Sequence, residues 1–312
     1  MQSDNSKSSE ISNQSLSDFE KFINWLTYEK RASPHTISNY RRDLEKLFQD
    51  FPDYQKISEQ DIRKFTAKKH SQGITSSSLS RHLSAIRAFY NYLNYYCNFN
   101  KNPVTNVHPP KGKKELPKTL NPDQINQILK FPLKKPEDYR DLAIFELIYS
   151  SGLRLSELVA INDSDLPDIK NGKLIVLGKR QKTREIPVGN KAIIAINNWL
   201  KFRDQLTTSK KTINSDNKIK PLFINKSGKR LTGRTIEYRL TKIAKKTGIQ
   251  FKVHPHMLRH SFASHLLQSS GDLRAVQELL GHSSISSTQI YTHLDFNNLA
   301  KIYDRTHPRA KI

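Results

Sequence analysis

Leu79, Leu83, Ile86, Tyr90 and Leu93 follow one another at spacings of four, three, four and three. That rhythm lays a continuous apolar stripe along one face and predicts a long amphipathic helix. Shorter versions of the pattern precede it. Phe22, Ile23 and Leu26 follow Ser17 and Glu20, which have the spacing of a capping box. Ser33 and Pro34 form an N-cap and first-turn pair ahead of Ile37, Tyr40, Leu44 and Leu47. Ser58 with Asp61 opens a further segment carrying Ile62 and Phe65. The N-terminal third therefore reads as four helices, with Arg81, His82 and Arg87 off the stripe of the last.

The pattern breaks at residue 103. Pro103, Pro109, Pro110 and Pro117 alternate with Lys111, Lys113 and Lys114, the signature of an extended basic linker. Asn121 and Pro122 repeat the cap and first-turn pairing and start a second domain. There, Leu142–Tyr149 predicts a buried helix ending near Gly152. Two β-branched runs, Lys173–Leu177 and Thr183–Val188, flank Gly178-Lys179-Arg180-Gln181 and predict a hairpin. Ala192–Leu200 is helical in pattern, and Leu222-Phe223-Ile224 would add a third strand. Residues 204–220 are rich in Thr, Ser, Lys and Asn and read as a long loop. The expected fold is mainly α with a small β-sheet in the second domain. Its parts are a tail (1–14), a helical domain (15–102), the linker (103–119), the second domain (120–303) and a C-terminal tail (304–312).

Charge narrows the partners. Among 312 residues, Lys and Arg number 52 against 29 Asp and Glu, a formal net charge of +23. A surplus of that size suits a polyanion such as nucleic acid or an acidic membrane, although a merely solvated basic surface gives the same number. No run approaches the roughly 20 apolar residues of a membrane span. The first residues lack the apolar core of a signal peptide. Cys97 is the single cysteine, so no internal disulfide can form, which fits a reducing cytoplasm. Set among Tyr95, Tyr96 and Phe99, it reads as a small buried residue. Helix starts rich in Ser and Arg suit a DNA groove. Asn39, Arg41, Arg42, Arg81 and Arg87, on the second and fourth helices, are the candidate DNA contacts. An ordinary solvated face accounts equally well for any one of them.

Seven of the eleven histidines follow residue 253. His256 and Arg259 sit three apart at the start of one helical segment, on one face. Gly281-His282 closes another, and Tyr291 comes nine residues later. Upstream, Gly152-Leu153-Arg154 precedes Ser156 and Glu157 at a helix junction. His256, His260 and His265 have a spacing that metal ligands use, but no acidic or cysteine ligand accompanies them.

Taken in order, Ser-Gly-Leu-Arg154-Leu-Ser-Glu-Leu, Gly-Lys179, His256-Met-Leu-Arg259-His260, Leu-Gly-His282 and Gln289-Ile290-Tyr291-Thr292-His293 resemble the tyrosine recombinase (phage integrase) family, Xer type. The likeness continues through Tyr303-Asp304 to His307-Pro308-Arg309-Ala310 and points to the branch that partners XerD-type recombinases. It implies a two-domain clamp on duplex DNA whose N-terminal part is a core-binding, SAM-like domain. It also implies that Tyr291 attacks phosphorus and forms a 3′-phosphotyrosine.

Arg154 and Arg259 match the family's phosphate clamp, Lys179 its general acid, His256 a residue near the nucleophile that takes its proton, and His282 a phosphate hydrogen-bond donor. The chemistry agrees with these roles. A phenol with a pKa of roughly 10 needs help to ionise, and guanidinium forks suit oxygens whose charge grows in the transition state. Glu157 would orient Arg154; His260, His265 and His293 read as structural or DNA-proximal. Arg180 follows Lys179 where the family often has glycine, which leaves Lys182 as a less favoured alternative acid. No cofactor and no metal are implied. The partners implied are a XerD-type recombinase in a cyclic 2+2 heterotetramer and, as regulator, the septal DNA translocase FtsK, in resolving chromosome dimers at cell division. The helix Phe296–Tyr303 would link neighbouring subunits. A mobile-element integrase or a type IB topoisomerase-like enzyme are the rival readings.

Overall fold

The computed structural model describes residues 13–110, 119–178, 183–206, 220–281, 300 and 302–310. They form two compact units, divided between Glu115 and Leu116.

The first unit is built from α1 (Asn13–Tyr28), α2 (Pro34–Asp50), α3 (Glu59–Ser71) and α4 (Ser76–Tyr96). Its starts are set locally. Ser33 Oγ accepts from the Thr36 amide at 3.1 Å. Ser58 and Asp61 form a reciprocal capping box, with the Ser58 amide donating to Asp61 Oδ2 at 3.0 Å. The stripe of α4 is buried from Leu79 to Leu93 and packs Phe89 against Phe22 and Phe48.

Four expectations change in this unit. Ser17 is no cap: α1 is already helical at Asn13, because no proline or glycine interrupts the backbone ladder through those polar residues. His82 is 3% exposed, against Phe65 and with Nε2 3.4 Å from an Asp43 oxygen. Burial, against the pull of Asp43, lowers its pKa. Cys97 is exposed, since it caps α4 where the chain turns away through Asn98 at φ 50°. Finally, Val104 and Val107 are buried in this core, and Arg87 Nη2 donates to their carbonyls at 3.2 and 3.4 Å. The chain from 103 to 107 thus packs on the first unit instead of starting an extended strap.

The second unit contains α5 (Pro122–Leu129), α6 (Pro136–Ser151), α7 (Leu155–Ala160), α8 (Leu166–Lys170), β1 (Lys173–Leu177), β2 (Thr183–Pro187), α9 (Asn190–Leu206), α10 (Gly233–Lys246), α11 (Pro255–Ser270) and α12 (Leu273–Leu280). Its centre is α6, buried continuously from Ala143 to Ser151 and packed by α9 and α11. A helix apolar on all sides belongs in a core. The hairpin is antiparallel, with Lys173 opposite Pro187 and Leu177 opposite Thr183. Leu174, Val176, Arg184 and Ile186 point inward.

The expected third strand is not formed among the described residues. Leu222, Phe223 and Ile224 are buried, but of the three only Ile224 makes a bridge, an isolated one to Arg230. Trp199 Nε1 donates to the Leu222 carbonyl at 3.1 Å, and the Leu231 amide donates to that of Phe223 at 2.9 Å. These local bonds use the acceptors a sheet would need.

Helical backbone resumes at Ala300 and Ile302–Thr306. Tyr303, His307, Arg309 and Ala310 are buried in the same unit. The Tyr303 ring stacks on His307 at 4.9 Å, and Arg309 Nη2 donates to Asn126 Oδ1 at 2.9 Å. The segment read as a C-terminal tail thus packs into the second unit through His307, Arg309 and Ala310, and so does Tyr303 at the end of the expected linking helix. Burial, with the charges of His265 and Arg309, pushes the His307 pKa down to about 3. Among the described residues, no helix is long and apolar enough to cross a membrane.

Candidate active site

The site begins where α6 ends. Gly152 adopts the left-handed conformation at φ 60° and lets the chain reverse sharply. α11 presses on this turn so closely that a Cβ on Gly152 would lie 2.5 Å from the Phe262 ring. Two residues on, Arg154 is the N-cap of α7, and its amide donates to Glu157 Oε2 at 2.9 Å. Its guanidinium returns to the same carboxylate, with Nη1 2.8 Å from Oε1.

Arg259 approaches from the second turn of α11 and donates through Nη1 to the Gly152 carbonyl. β2 contributes Arg184, whose Nη1 and Nη2 lie 2.8 and 3.0 Å from the two Glu157 oxygens. These three arginines meet at the carboxyl end of α12. Arg184 Nε donates to Leu279 O at 3.1 Å, Arg259 Nη2 to Leu280 O at 2.6 Å, and Arg154 Nη2 to Gly281 O at 3.0 Å. Three successive carbonyls thus each receive one guanidinium. The last carbonyls of a helix lack helical donors and carry its negative partial charge, so cations suit that end.

Three guanidiniums face one carboxylate, an excess of 3 − 1 = 2 positive charges. Burial would raise the Glu157 pKa, but the bonds from Arg184 and Arg154 outweigh it and hold the carboxyl below its usual range. Burial first, then the neighbouring charge of Arg154, lowers Arg259 to about 10, so it remains a cation at neutral pH. The Arg154 side chain is 32% exposed, against 9% for Arg259 and 8% for Arg184. The cluster therefore offers its positive charge to solvent chiefly through Arg154. Such an arrangement can bind an oxyanion and neutralise charge growing on it.

Of the six residues singled out from the sequence for chemistry, Arg154 and Arg259 are brought together. His256 lies one turn before Arg259 on α11 and is exposed. Lys179, His282 and Tyr291, with Lys182 and His293, lie outside the described residues. Gly281, the last described residue before His282, is held by Arg154. His260 is exposed, whereas His265 is buried with its Nδ1 2.9 Å from the Tyr149 hydroxyl. The three histidines of α11 therefore do not share one solvent face. Among the described residues, no three His, Cys, Asp or Glu are placed to hold a metal.

The candidate DNA contacts of the first unit differ in freedom. Arg42 is exposed and Asn39 half-buried. Arg41 binds Glu20 through two bonds of 2.5 and 2.9 Å. Arg81 pairs with the fully buried Asp43, and Arg87 is committed to the Val104 and Val107 carbonyls. Arg184 was missed in the sequence. Its signal was there: it shares the inward face of β2 with Ile186, and an arginine on a core-facing strand position needs a buried anion.

Comparison with known proteins identifies the family. The phage integrase family model matches residues 118–298, and that of the phage integrase N-terminal SAM-like domain matches residues 19–95. The tyrosine recombinase XerC of Pseudomonas savastanoi pv. phaseolicola is 50% identical over 92% of this chain and 94% of its own. That of Actinobacillus pleuropneumoniae serotype 7 is 44% identical, covering 93% of each. Among solved structures, the Tn1549 transposon integrase in complex with transposon right end DNA superposes with a TM-score of 0.69 at 19% identity, covering 91% of this chain and 98% of that one. XerH bound to a palindromic difH substrate gives 0.63 at 21%, covering 92% and 85%. With both units matched by family models and the XerC proteins similar along nearly the full length, the chain belongs to the phage integrase family and is a site-specific tyrosine recombinase of the Xer type, an enzyme that cuts and rejoins DNA.

Proposed function

We propose that this chain cleaves one DNA strand with Tyr291 and that Arg154 and Arg259 hold the scissile phosphate. The Tyr291 oxygen attacks phosphorus, the bond to the 5′-oxygen breaks, and a 3′-phosphotyrosine forms. His256 takes the phenolic proton, and Lys179 gives one to the departing 5′-oxygen. Arg154, Arg259 and a donor at His282 neutralise the equatorial oxygens. The hydroxyl of a partner strand then reverses the step, so no external energy source is consumed. Residues 15–102 grip the duplex with the faces of α2 and α4, aided by the surplus of basic residues.

In this reading the chain works in the cytoplasm with a XerD-type recombinase in a cyclic 2+2 assembly. It resolves chromosome dimers at cell division, under a septal DNA translocase of the FtsK kind. The observation that carries the site is the meeting of Arg154 and Arg259, 259 − 154 = 105 residues apart, at the helix end that leads into His282. A suicide DNA substrate, nicked beside the cleavage point so that the reverse step is lost, tests it. The native protein should form a covalent protein–DNA adduct that Tyr291→Phe does not. Absence of the adduct in the native protein, or its persistence in Tyr291→Phe, would overturn the proposal.

A further inference from the structure

We infer that Arg184 is a positioning residue of strand cleavage, fixing Arg154 and Arg259 for the phosphate without touching it. The inference rests on the proposed clamp by those two arginines. Glu157 is the sole carboxylate within reach of the cluster among the described residues, and Arg184 occupies both of its oxygens at 2.8 and 3.0 Å. The remaining reach of Arg184, through Nε, goes to the Leu279 carbonyl at 3.1 Å. It therefore ties three parts of the site together: the hairpin through β2, the N-terminal turn of α7 through Glu157, and the carboxyl end of α12. At 8% side-chain exposure and with its donors committed inward, it offers no face to substrate.

Removing it has two foreseeable effects on its neighbours. Glu157 would lose its bidentate partner, and besides Arg154, already bonded to Oε1 at 2.8 Å, the guanidinium within reach is that of Arg259, whose Nη1 is 3.9 Å from Oε2. A guanidinium drawn fully onto Glu157 leaves the Gly152 and Leu280 carbonyls it now binds. The Leu279 carbonyl, meanwhile, loses its donor, and the exit of α12 is held by two arginines instead of three. Loss of Arg184 also cuts the excess positive charge of the cluster, which by itself weakens it as an anion site. The loss of anchoring displaces the two guanidiniums that remain, so the two effects act in the same direction.

The test uses the full chain and two forms of the nicked suicide substrate, one with the ordinary scissile phosphodiester and one with a neutral methylphosphonate there. A neutral linkage has less need of a clamp for its charge. Arg184→Gln should cleave the ordinary linkage on the order of 10²-fold more slowly, the scale of an ångström-level misplacement. It should lie within about tenfold of the native protein on the neutral linkage, the same pattern as Arg154→Ala. If Arg154→Ala is recovered by the neutral linkage while Arg184→Gln is equally slow on both, Arg184 has a structural role only and the inference fails. An Arg184→Gln rate near native on the ordinary linkage also overturns it. If Arg154→Ala itself gains nothing from the neutral linkage, the clamp reading fails first and the inference falls with it. Should Arg184→Gln not fold, judged by its urea unfolding curve, Arg184→Lys carries the same comparison, since one ammonium cannot replace the fork.

Discussion

Replacing Glu157 by Gln removes one negative charge and almost no volume from the cluster of arginines. Glu157 and Arg184 are 4% and 8% exposed in their side chains, so their interaction is little screened by solvent. Removing one member of a buried pair costs about 3–5 kcal/mol, because the other charge is left uncompensated. Arg154, a third exposed, adds no more than about 1 kcal/mol. For a domain near 200 residues, about 2–4 °C per kcal/mol translates this into a fall in Tm of about 6–24 °C.

The variant also carries a pH signature. The Glu157 pKa is lowered from an ordinary 4.5 in the folded protein, so its contribution is complete above that value. It is lost as pH falls through the folded-state pKa. The gap between the native protein and Glu157→Gln should therefore narrow in acid. Thermal unfolding followed by circular dichroism, at neutral pH and at steps below 4.5, measures both effects. A Tm fall under about 2 °C at neutral pH, or a gap of constant size in acid, would refute the account of how the cluster is held.

Two further outcomes follow from the second unit. Gly152→Ala forces a Cβ into a left-handed backbone and against the Phe262 ring, and should cost about 2–4 kcal/mol. It should also slow cleavage, since the Gly152 carbonyl anchors Arg259; a shifted urea midpoint with unchanged slope is the check. His307 stays neutral in the fold down to about pH 3 against an ordinary 6.5. Its stabilisation is full above 6.5 and falls as pH drops between those values, by up to about 1.4 kcal/mol per pH unit. His307→Gln should flatten that part of the stability profile measured by urea unfolding.

What the sequence disclosed was whatever local chemistry decides. The caps at Ser33, Ser58 and Asn121, the α4 stripe, the hairpin runs and the glycine stop of α12 all depend on residues a few positions apart. They appear where the pattern places them. Three of the misreadings share another cause. His82 lies beside the α4 stripe, but Asp43, from a helix 39 residues earlier, makes its burial tolerable. Leu222–Ile224 has strand composition, yet Trp199 and Leu231 claim its carbonyls first. His307 looked like tail, and Tyr303 like the end of a linking helix, because nothing near them in the chain announces the pocket beside Tyr149 and Phe262 that receives His307. Within the site, motif order singled out Arg154 and Arg259. The partners that hold them, Arg184 and the α12 carbonyls, emerge only once segments a hundred residues apart meet.

The three guanidiniums gathered on the end of α12 depend on one another through a shared anchor. Arg154 comes from a helix junction, Arg184 from a strand and Arg259 from another helix, and each uses the same short stretch of backbone as its anchor. A nascent or partly unravelled chain has no such anchor, and its arginines are merely solvated cations. If these arginines clamp the scissile phosphate as proposed, competence to cleave DNA arrives only with the finished tertiary structure.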